Sequence, residues 1–162
     1  MLPLTPQTVA QLGALKLASL VDKTGKFTYR YSHTGNKELA GYNPLRHAGA
    51  IWSMLDVYRT AKDEAVLDAS KRAVTYLLNN YLRFYRDPNN LCICDGKAIK
   101  LGGNGLAALA LLSLYEITGD EFLLTIARKL CDFVIREREQ EGSFVHKRYF
   151  ESGKISEFQS SY

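Results

Sequence analysis

The sequence has few cysteines and no complete disulfide framework. Cys92, Cys94 and Cys131 are an odd number, which does not suit a secreted protein held together by disulfides. Cys92 and Cys94 form a C-x-C pair without a second pair or nearby histidines, so the spacing is not that of a zinc site. The sequence therefore predicts buried or inert thiols in a reducing compartment, with no metal and no cofactor.

Long apolar runs, a leader sequence and blocks of basic residues are also missing. The longest apolar run, around residues 106–112, is too short to cross a bilayer, and the first residues do not form a basic leader with a cleavage site. The net charge of +4 is small, and Lys and Arg are spread along predicted helix faces. We therefore expect a cytoplasmic protein with no membrane and no nucleic-acid partner, whereas a small anionic ligand remains a candidate.

Hydrophobic residues, by contrast, are abundant and regularly spaced. With 162 residues, 46% hydrophobic and 23% charged, the chain can form a single domain, residues 1–162, around one core. A shift of 57 residues superposes two apolar segments and places Ala50 on Ala107 and Leu55 on Leu112. A period of this length with helical spacing predicts helical hairpins that stack on a shared core.

Five helices are predicted from the apolar spacing. Their expected bounds are about Pro6 to Val21, Pro44 to Ala61, Asp63 to Phe84, Asn104 to Ile117 and Asp120 to Glu139. The second and fourth are apolar on most sides, whereas the third and fifth have a polar face, so inner and outer helices should alternate. Trp52, in the second helix, is expected in the core. A short strand is predicted at residues 26–31.

The connections differ in length according to the helix that follows them. The turns at residues 62–63 and 118–120 are tight, whereas long loops at residues 25–43, 86–103 and 142–162 each precede an inner helix or its expected place. All long loops should then lie at one end. Because the first helix has no inner mate, we expect either a segment of a larger ring of hairpins or self-association.

Several motifs resemble a known superfamily. They are Gly25-x-Phe27-x-Tyr29, Tyr42-Asn43-x-x-Arg46-His47-x-Gly49, Lys100-Leu-Gly-Gly-Asn-Gly105-Leu-Ala, Leu114-Tyr115-x-x-Thr118-Gly119-Asp120 and Gly142-Ser-Phe144. In this order they resemble the (α/α)-toroid superfamily of six-hairpin glycosidase-like and glucuronyl C5-epimerase-like proteins. The resemblance implies an all-α fold of tandem hairpins, with short β-hairpin-like loops at one end around a cavity that holds a sugar chain in most relatives. About two and a half of the usual six hairpins are present.

Polar residues cluster where the second helix begins. Tyr42 and Asn43 precede Arg46 and His47, and the free amide groups of the helix start point to the same place. Arg46 is a candidate to hold an anionic group such as a uronate carboxylate, and His47 is a candidate to exchange a proton with it. The alternative is that these residues only pin the loop to the helix.

Further candidates lie in the other long loops. Lys100 and Asn104 lie in a glycine-rich segment at the start of the fourth helix, where free amides favour an anion, although close helix packing explains the glycines as well. Asp95 and Glu157 are candidate catalytic carboxylates for glycoside chemistry, with plain solvation as the alternative. Tyr29 is a candidate platform for a sugar ring, with strand packing as the alternative.

Two classes of function follow. A carbohydrate-active protein of the toroid type would act as a hydrolase, lyase or epimerase on a glycan, which could contain uronate. The alternative is a noncatalytic helical-repeat binding module, or an inactive fragment of a larger enzyme. The first class predicts that the candidate residues converge around one pocket, whereas the second predicts that each is held within its own loop.

Overall fold

Five α-helices form the frame of the molecule, which a computed structural model describes over residues 5–156. They are α1 (Pro6–Ser19), α2 (Pro44–Ala61), α3 (Glu64–Tyr81), α4 (Leu101–Thr118) and α5 (Glu121–Arg136). Inner helices α2 and α4 lie side by side, and outer helices α3 and α5 each pack on the inner helix before them. The predicted all-α class and the alternation of inner and outer helices are confirmed.

Short polar side chains begin four of these helices. Thr5, Asn43, Asp63 and Asp120 each accept a hydrogen bond from an amide of the first turn. The fourth helix differs, because Lys100 provides no side-chain cap and the Leu101 amide instead donates to the carbonyl oxygen of His146 at 2.9 Å. The third long loop therefore completes the start of α4.

Tight left-handed turns connect each inner helix to its outer partner. Lys62, with φ of 52°, ends α2, and Gly119, with φ of 72°, ends α4. Each donates its amide to a tyrosine carbonyl one turn earlier, at Tyr58 and Tyr115. The predicted tight hairpin turns are confirmed, and the two hairpins use the same turn geometry.

Short strands occupy the long loops. Strands β1 (Tyr31–Ser32) and β2 (Lys37–Glu38) form a hairpin, and β3 (Leu82–Phe84), β4 (Leu91–Asp95), β5 (Ala98–Lys100) and β6 (Lys147–Tyr149) form an antiparallel sheet in that order. Since β6 belongs to the third long loop and pairs with β5 of the second, these two loops lie together. Tyr42 of the first loop stacks on Tyr81 at the end of α3, so all three share one end.

Several helices and one strand have bounds that differ from the predicted ones. The third helix ends at Tyr81 rather than Phe84, because Leu82 turns extended and starts the ladder with β4. In place of the strand expected at residues 26–31, the structure has a single bridge between Val21 and Phe27. The regular strand pairing of this loop is between β1 and β2. The first and fifth helices end two and three residues early, at Ser19 and Arg136, and α4 begins at Leu101.

The inner helices contact each other at positions that the repeat makes equivalent. Arg59 of α2 forms an ion pair with Glu116 of α4, and a Cβ on Gly102 would lie 3.1 Å from the Cδ1 atom of Leu45. Each of these pairs is separated by the same shift of 57 residues. The two inner helices are therefore parallel neighbours in register, as adjacent repeats of a solenoid are.

Another pair of positions that the repeat makes equivalent on α2 and α4 is exposed. Trp52 of α2 and its repeat counterpart Leu109 of α4 are 39% and 44% exposed. The prediction that Trp52 is a core residue is therefore wrong, because no helix among the described residues covers this side of α2.

By length and composition alone, α4 could also cross a membrane. Its apolar character has a simpler explanation in the fold, since α4 packs against α2 on one side and α5 on another. Ala107, Ala110 and Leu111 of this helix are completely buried.

Candidate functional site

A cavity of about 240 Å³ lies at the amino end of α2. Four residues that the sequence analysis singled out line it, namely Tyr29, Tyr42, Arg46 and His47. The other lining residues, which the sequence analysis did not propose, are Leu17, Leu20, Phe27, Thr28 and Ala50. The cavity thus has an apolar wall from α1, an aromatic wall from the first long loop and a polar corner from α2.

Arg46 supplies the positive charge of this cavity. It is exposed in the first turn of α2, and its guanidinium carbon lies 5.7 Å from the centre of the Tyr29 ring. None of the salt bridges among residues 5–156 includes Arg46. A guanidinium held on an aromatic face beside an apolar wall can receive a carboxylate in bidentate fashion.

His47 is held from both sides by the protein. Its Nε2 atom lies 2.8 Å from the carbonyl oxygen of Ala73, which can only accept, so Nε2 carries the proton. The Tyr42 hydroxyl then donates to Nδ1 at 2.6 Å and accepts from the Phe27 amide at 3.0 Å. This chain of hydrogen bonds connects α3, α2 and the first long loop.

The charge state of His47 agrees with this network. Burial lowers the pKa of His47 to about 4, although the hydrogen bond to Ala73 opposes that shift. The ring is therefore neutral near pH 7, and both of its nitrogens are occupied. In this geometry His47 orients Tyr42 and the loop, and neither nitrogen is free to exchange a proton with a ligand. Its catalytic role stays a prediction.

Tyr42 is the centre of an aromatic cluster. Its ring is stacked on Tyr81 with a centroid distance of 6.3 Å and an interplanar angle of 7°, and Tyr76 packs against it at 5.9 Å. Burial raises the pKa of Tyr42 and raises that of Tyr81 to about 12, so both phenols stay protonated near pH 7. The cluster therefore holds Tyr42, its one member that lines the cavity, in place.

Asn43 lies beside the cavity but does not line it. Its side-chain oxygen accepts hydrogen bonds from the amides of Leu45 and Arg46 at 2.9 and 3.4 Å. These are the contacts of a helix N-cap. Asn43 therefore positions Arg46 by fixing the first turn of α2, and its predicted contact with a substrate has no support in these hydrogen bonds.

Lys100, Asp95 and Asn104 form a separate group at the start of α4. The Lys100 ammonium donates to the Asp95 carboxylate at 2.9 Å. Asn104 is completely buried, where its oxygen accepts from the Ile93 amide at 2.8 Å and its nitrogen donates to the Lys100 carbonyl oxygen at 2.9 Å. None of these three residues lines the cavity.

The expectation of one convergent set of candidates is therefore corrected. Asn104 is enclosed and its amide holds β4 onto α4, so its predicted contact with a substrate has no support in this structure. Asp95 and Lys100 neutralise each other in this structure, and their roles toward a substrate stay predictions. Glu157 lies outside the described residues.

A signal for the structural role of Asn104 was present in the sequence. A shift of 57 residues places His47 on Asn104, so the two buried polar residues occupy the same position of the two inner helices. Each connects its helix to the neighbouring backbone, through Ala73 in one case and Ile93 in the other. Equivalent burial in two repeats indicates a shared structural task rather than two separate ligand contacts.

The cysteines match their predicted inert character in part. Cys92 and Cys94 are buried in β4, whereas Cys131 is exposed on α5. Burial raises the pKa of the Cys92 thiol to about 12 and also raises that of Cys94, so neither is a thiolate near neutral pH. Over residues 5–156, no group of three or more His, Cys, Asp or Glu side chains is arranged to hold a metal ion.

Hairpins of inner and outer helices, stacked in register with their long loops at one end, give this chain the fold of part of an (α/α) toroid. The resemblance seen in the sequence is confirmed at the level of the fold. No protein-family model matches the sequence, and no curated protein matches it either.

Solved structures show the particular toroids that this chain is similar to. A cellobiose 2-epimerase from Spirochaeta thermophila matches with a TM-score of 0.70 and 20% identity, over 95% of this chain and 43% of that one. A sugar epimerase from a ruminal bacterium matches with a TM-score of 0.73 and 17% identity, again over 95% and 43%. A GH76 α-mannanase from Bacteroides thetaiotaomicron matches with a TM-score of 0.58 and 16% identity, over 69% and 32%. The chain spans less than half the length of these neighbours.

Proposed function

We propose that this chain is part of a carbohydrate-active protein of the α/α-toroid type and that the cavity at the amino end of α2 binds an acidic sugar. The observation that carries the proposal is the placement of Arg46 on the Tyr29 ring at the end of the fold that bears the long loops. The fold that the chain shares with two sugar epimerases and a mannanase supports the class of ligand, although fold likeness by itself does not define a reaction.

The chemistry of the cavity suits a sugar that carries a carboxylate. Arg46 can pair with the carboxylate, and the Tyr29 ring offers an apolar face for the C–H groups of a pyranose. Leu17 and Leu20 enclose the other side. A neutral hexose has no carboxylate and would leave Arg46 without a counter-charge.

The reaction is not defined by the described residues. His47 has both nitrogens occupied, and among residues 5–156 no acidic side chain lines the cavity. Hydrolysis, elimination or epimerisation would need an acid or base from elsewhere in the toroid. The second candidate function is therefore a noncatalytic module that binds an acidic glycan, and the complete hydrogen bonding of His47 favours it. We also propose a cytoplasmic location, which suits three free thiols.

Thermal unfolding in the presence of glucuronate tests the proposed site. At a concentration near ten times its dissociation constant, glucuronate should raise the melting temperature by on the order of 3 °C. Arg46→Met should abolish the shift while leaving the melting temperature of the free protein nearly unchanged, since the Arg46 side chain is exposed. Arg128→Met, an exposed arginine on the outer helix α5, is the matched control and should keep the full shift.

Two further ligands separate a sugar site from a plain anion site. Glucose should give no shift, and acetate should give much less than glucuronate because it cannot cover the Tyr29 ring. An equal response to acetate and glucuronate, or a glucuronate shift that survives Arg46→Met, would show that the cavity is not an acidic-sugar site.

A further inference from the structure

Lysine side chains also lie on tyrosine rings at the end of the fold that bears the long loops. The Lys26 Nζ atom lies 5.5 Å from the centre of the Tyr42 ring, and the Lys147 Nζ atom lies 4.9 Å from that of Tyr149. Lys147 and Tyr149 belong to β6, in the third long loop. This end of the molecule therefore repeats, at places beyond Arg46, the pairing of a cation with an aromatic face.

The β5–β6 pair places two lysines side by side. Lys100 and Lys147 are directly opposite in its register. Just beyond them, the Leu101 amide donates to the His146 carbonyl oxygen, so the two lysines themselves are not joined by backbone hydrogen bonds. In such a pair the Cα atoms are about 4.5 Å apart and the side chains are closest. Like charges directly opposite are unfavourable, and the Asp95 carboxylate, 2.9 Å from the Lys100 ammonium, neutralises only one of the two.

These lysines lie on the open face of the sheet. Tyr149 is two residues from Lys147 in β6, so both side chains point to this face, and the Tyr149 ring is 41% exposed. The intervening Arg148 points to the other face, where it donates to the Glu137 carboxylate at 3.0 Å and where its strand partner Ile99 is buried. An exposed aromatic ring and an excess positive charge are therefore adjacent on the open face.

The open face is connected to the cavity by Tyr81. Tyr42, which lines the cavity, stacks on the Tyr81 ring at 6.3 Å. Burial raises the pKa of Tyr81 most, and the nearby Asp95 carboxylate adds to that increase, so Asp95 lies within electrostatic reach of this phenol. Asp95 is paired with Ala98, and Ala98 with Tyr149, which places Tyr149 two strand spacings of about 4.8 Å beyond Asp95. The path from Tyr42 to Tyr149 is therefore longer than one sugar ring.

We propose that a linear acidic oligosaccharide binds across this end of the molecule, from the cavity over the Tyr81 ring to the open face of β5 and β6. The inference rests on the proposed function, because Arg46 holds the carboxylate of one unit. Lys147, beside Lys100, holds the carboxylate of a later unit, and the Tyr149 ring covers the apolar face of that sugar. A single uronate reaches only Arg46, whereas a chain of several units reaches both positive sites and gains affinity from the second.

Isothermal titration calorimetry with glucuronate and with its tetramer in the linkage of cellulose tests the proposal. The tetramer should bind at least about tenfold more tightly than glucuronate, because its second contact is intramolecular. Lys147→Met should weaken tetramer binding by about tenfold, the effect of one lost charged hydrogen bond, and should leave glucuronate binding unchanged. Lys147→Arg keeps the charge and should keep most of the affinity. Lys71→Met, which changes an exposed lysine of the outer helix α3, is the matched control and should bind the tetramer as the parent chain does.

The outcomes separate this inference from the proposed function. A tetramer that binds no more tightly than glucuronate, or equally well to Lys147→Met, would overturn this inference and leave the Arg46 site intact. Equal affinity for tripolyphosphate, or for cellotetraose, which has no carboxylates, would also overturn it, since the surface would not then select an acidic sugar chain. Glucuronate binding that Arg46→Met does not weaken would overturn the proposed function, and this inference with it. An unchanged melting temperature of Lys147→Met shows that lost binding does not come from unfolding.

Discussion

The starts of the two inner helices differ in how the preceding loop encloses a buried polar side chain. His47 and Asn104 occupy equivalent positions, and each buried polar side chain holds neighbouring backbone. Around Asn104 the loop folds back as β4 and β5 and completely encloses the side chain. Around His47 the loop forms the short β1–β2 hairpin instead, and a cavity of about 240 Å³ lies beside the helix start.

The difference shows what creates the candidate site. The helix starts are similar, but strands β4 and β5 of the four-stranded sheet pack on α4, whereas α2 packs on the helices α1, α3 and α4. An open site therefore appears in the repeat whose neighbour is missing among the described residues. The comparison can be tested at three pairs of equivalent positions.

The largest effect is expected at Gly25 and its counterpart Gly142. Both have left-handed backbone, with φ of 92° and 93°, so alanine strains either position. A Cβ on Gly25 would also overlap the carbonyl oxygen of Arg72, whereas one on Gly142 would meet only the Arg138 guanidinium at 3.5 Å. Gly25→Ala should lower the free energy of unfolding by at least about 3 kcal/mol, and Gly142→Ala by about 1 kcal/mol.

Urea denaturation of both glycine variants measures this difference. Similar losses at the two positions would show that backbone strain alone matters and that the packing of the first loop on α3 does not. That result would contradict the close approach of Gly25 to α3 in the first repeat.

A smaller effect, dependent on pH, is expected at His47. Burial lowers the pKa of folded His47 to about 4 from its ordinary 6.5, so between these values the unfolded chain binds a proton that the folded chain does not. The contribution of His47 to stability is therefore complete above pH 6.5 and is lost as the pH falls toward 4, by on the order of 3 kcal/mol. His47→Asn, which copies the residue of the second repeat, should flatten this part of the stability profile.

Two controls accompany the pH profile. His146→Gln changes an exposed histidine and should leave the slope between pH 6.5 and 4 as it is in the parent chain. A nuclear magnetic resonance titration of the imidazole in the parent chain should show His47 neutral at pH 5. An imidazolium signal for His47 at that pH would contradict the hydrogen-bond assignment to Tyr42 and Ala73.

The smallest effect is expected at Arg59 and Glu116, the equivalent positions that join α2 and α4. Their side chains are 39% and 61% exposed, so solvent screens the ion pair. A double-mutant cycle with Arg59→Ala and Glu116→Ala should give a coupling energy of no more than about 1 kcal/mol, reduced further at high salt. A coupling of several kcal/mol would mean that the inner helices are held together by charge rather than by packing.

Much of the helical frame could be predicted because its signals are local. Pro44 after the Asn43 cap predicted the start of α2, and the polar residues Lys62 and Asp63 predicted its end. Both bounds are correct. The end of α3 was missed because Leu82 to Phe84 carry a helix-compatible pattern. Only pairing with β4, which lies several residues further along the chain, makes that segment a strand.

The candidate site was predictable in the part that is close in sequence. Tyr42, Arg46 and His47 fall within two helical turns of one another, so any helix at this place brings them together. Leu17 of α1 and Leu20, which follows directly after that helix, also line the cavity, and only the packing of α1 on α2 brings them there. The burial of Asn104 depends likewise on Ile93, in a strand that the sequence pattern did not reveal.

By itself, the sequence determined the helices, their order as inner and outer members of hairpins and the period that relates them, since apolar spacing, caps and tight turns act over a few residues. Tertiary structure decided which polar side chains are enclosed and which face a cavity. Enclosure depends on what packs against a helix from distant parts of the chain. Residues at equivalent positions of the two repeats therefore differ in exposure although their local sequences are alike.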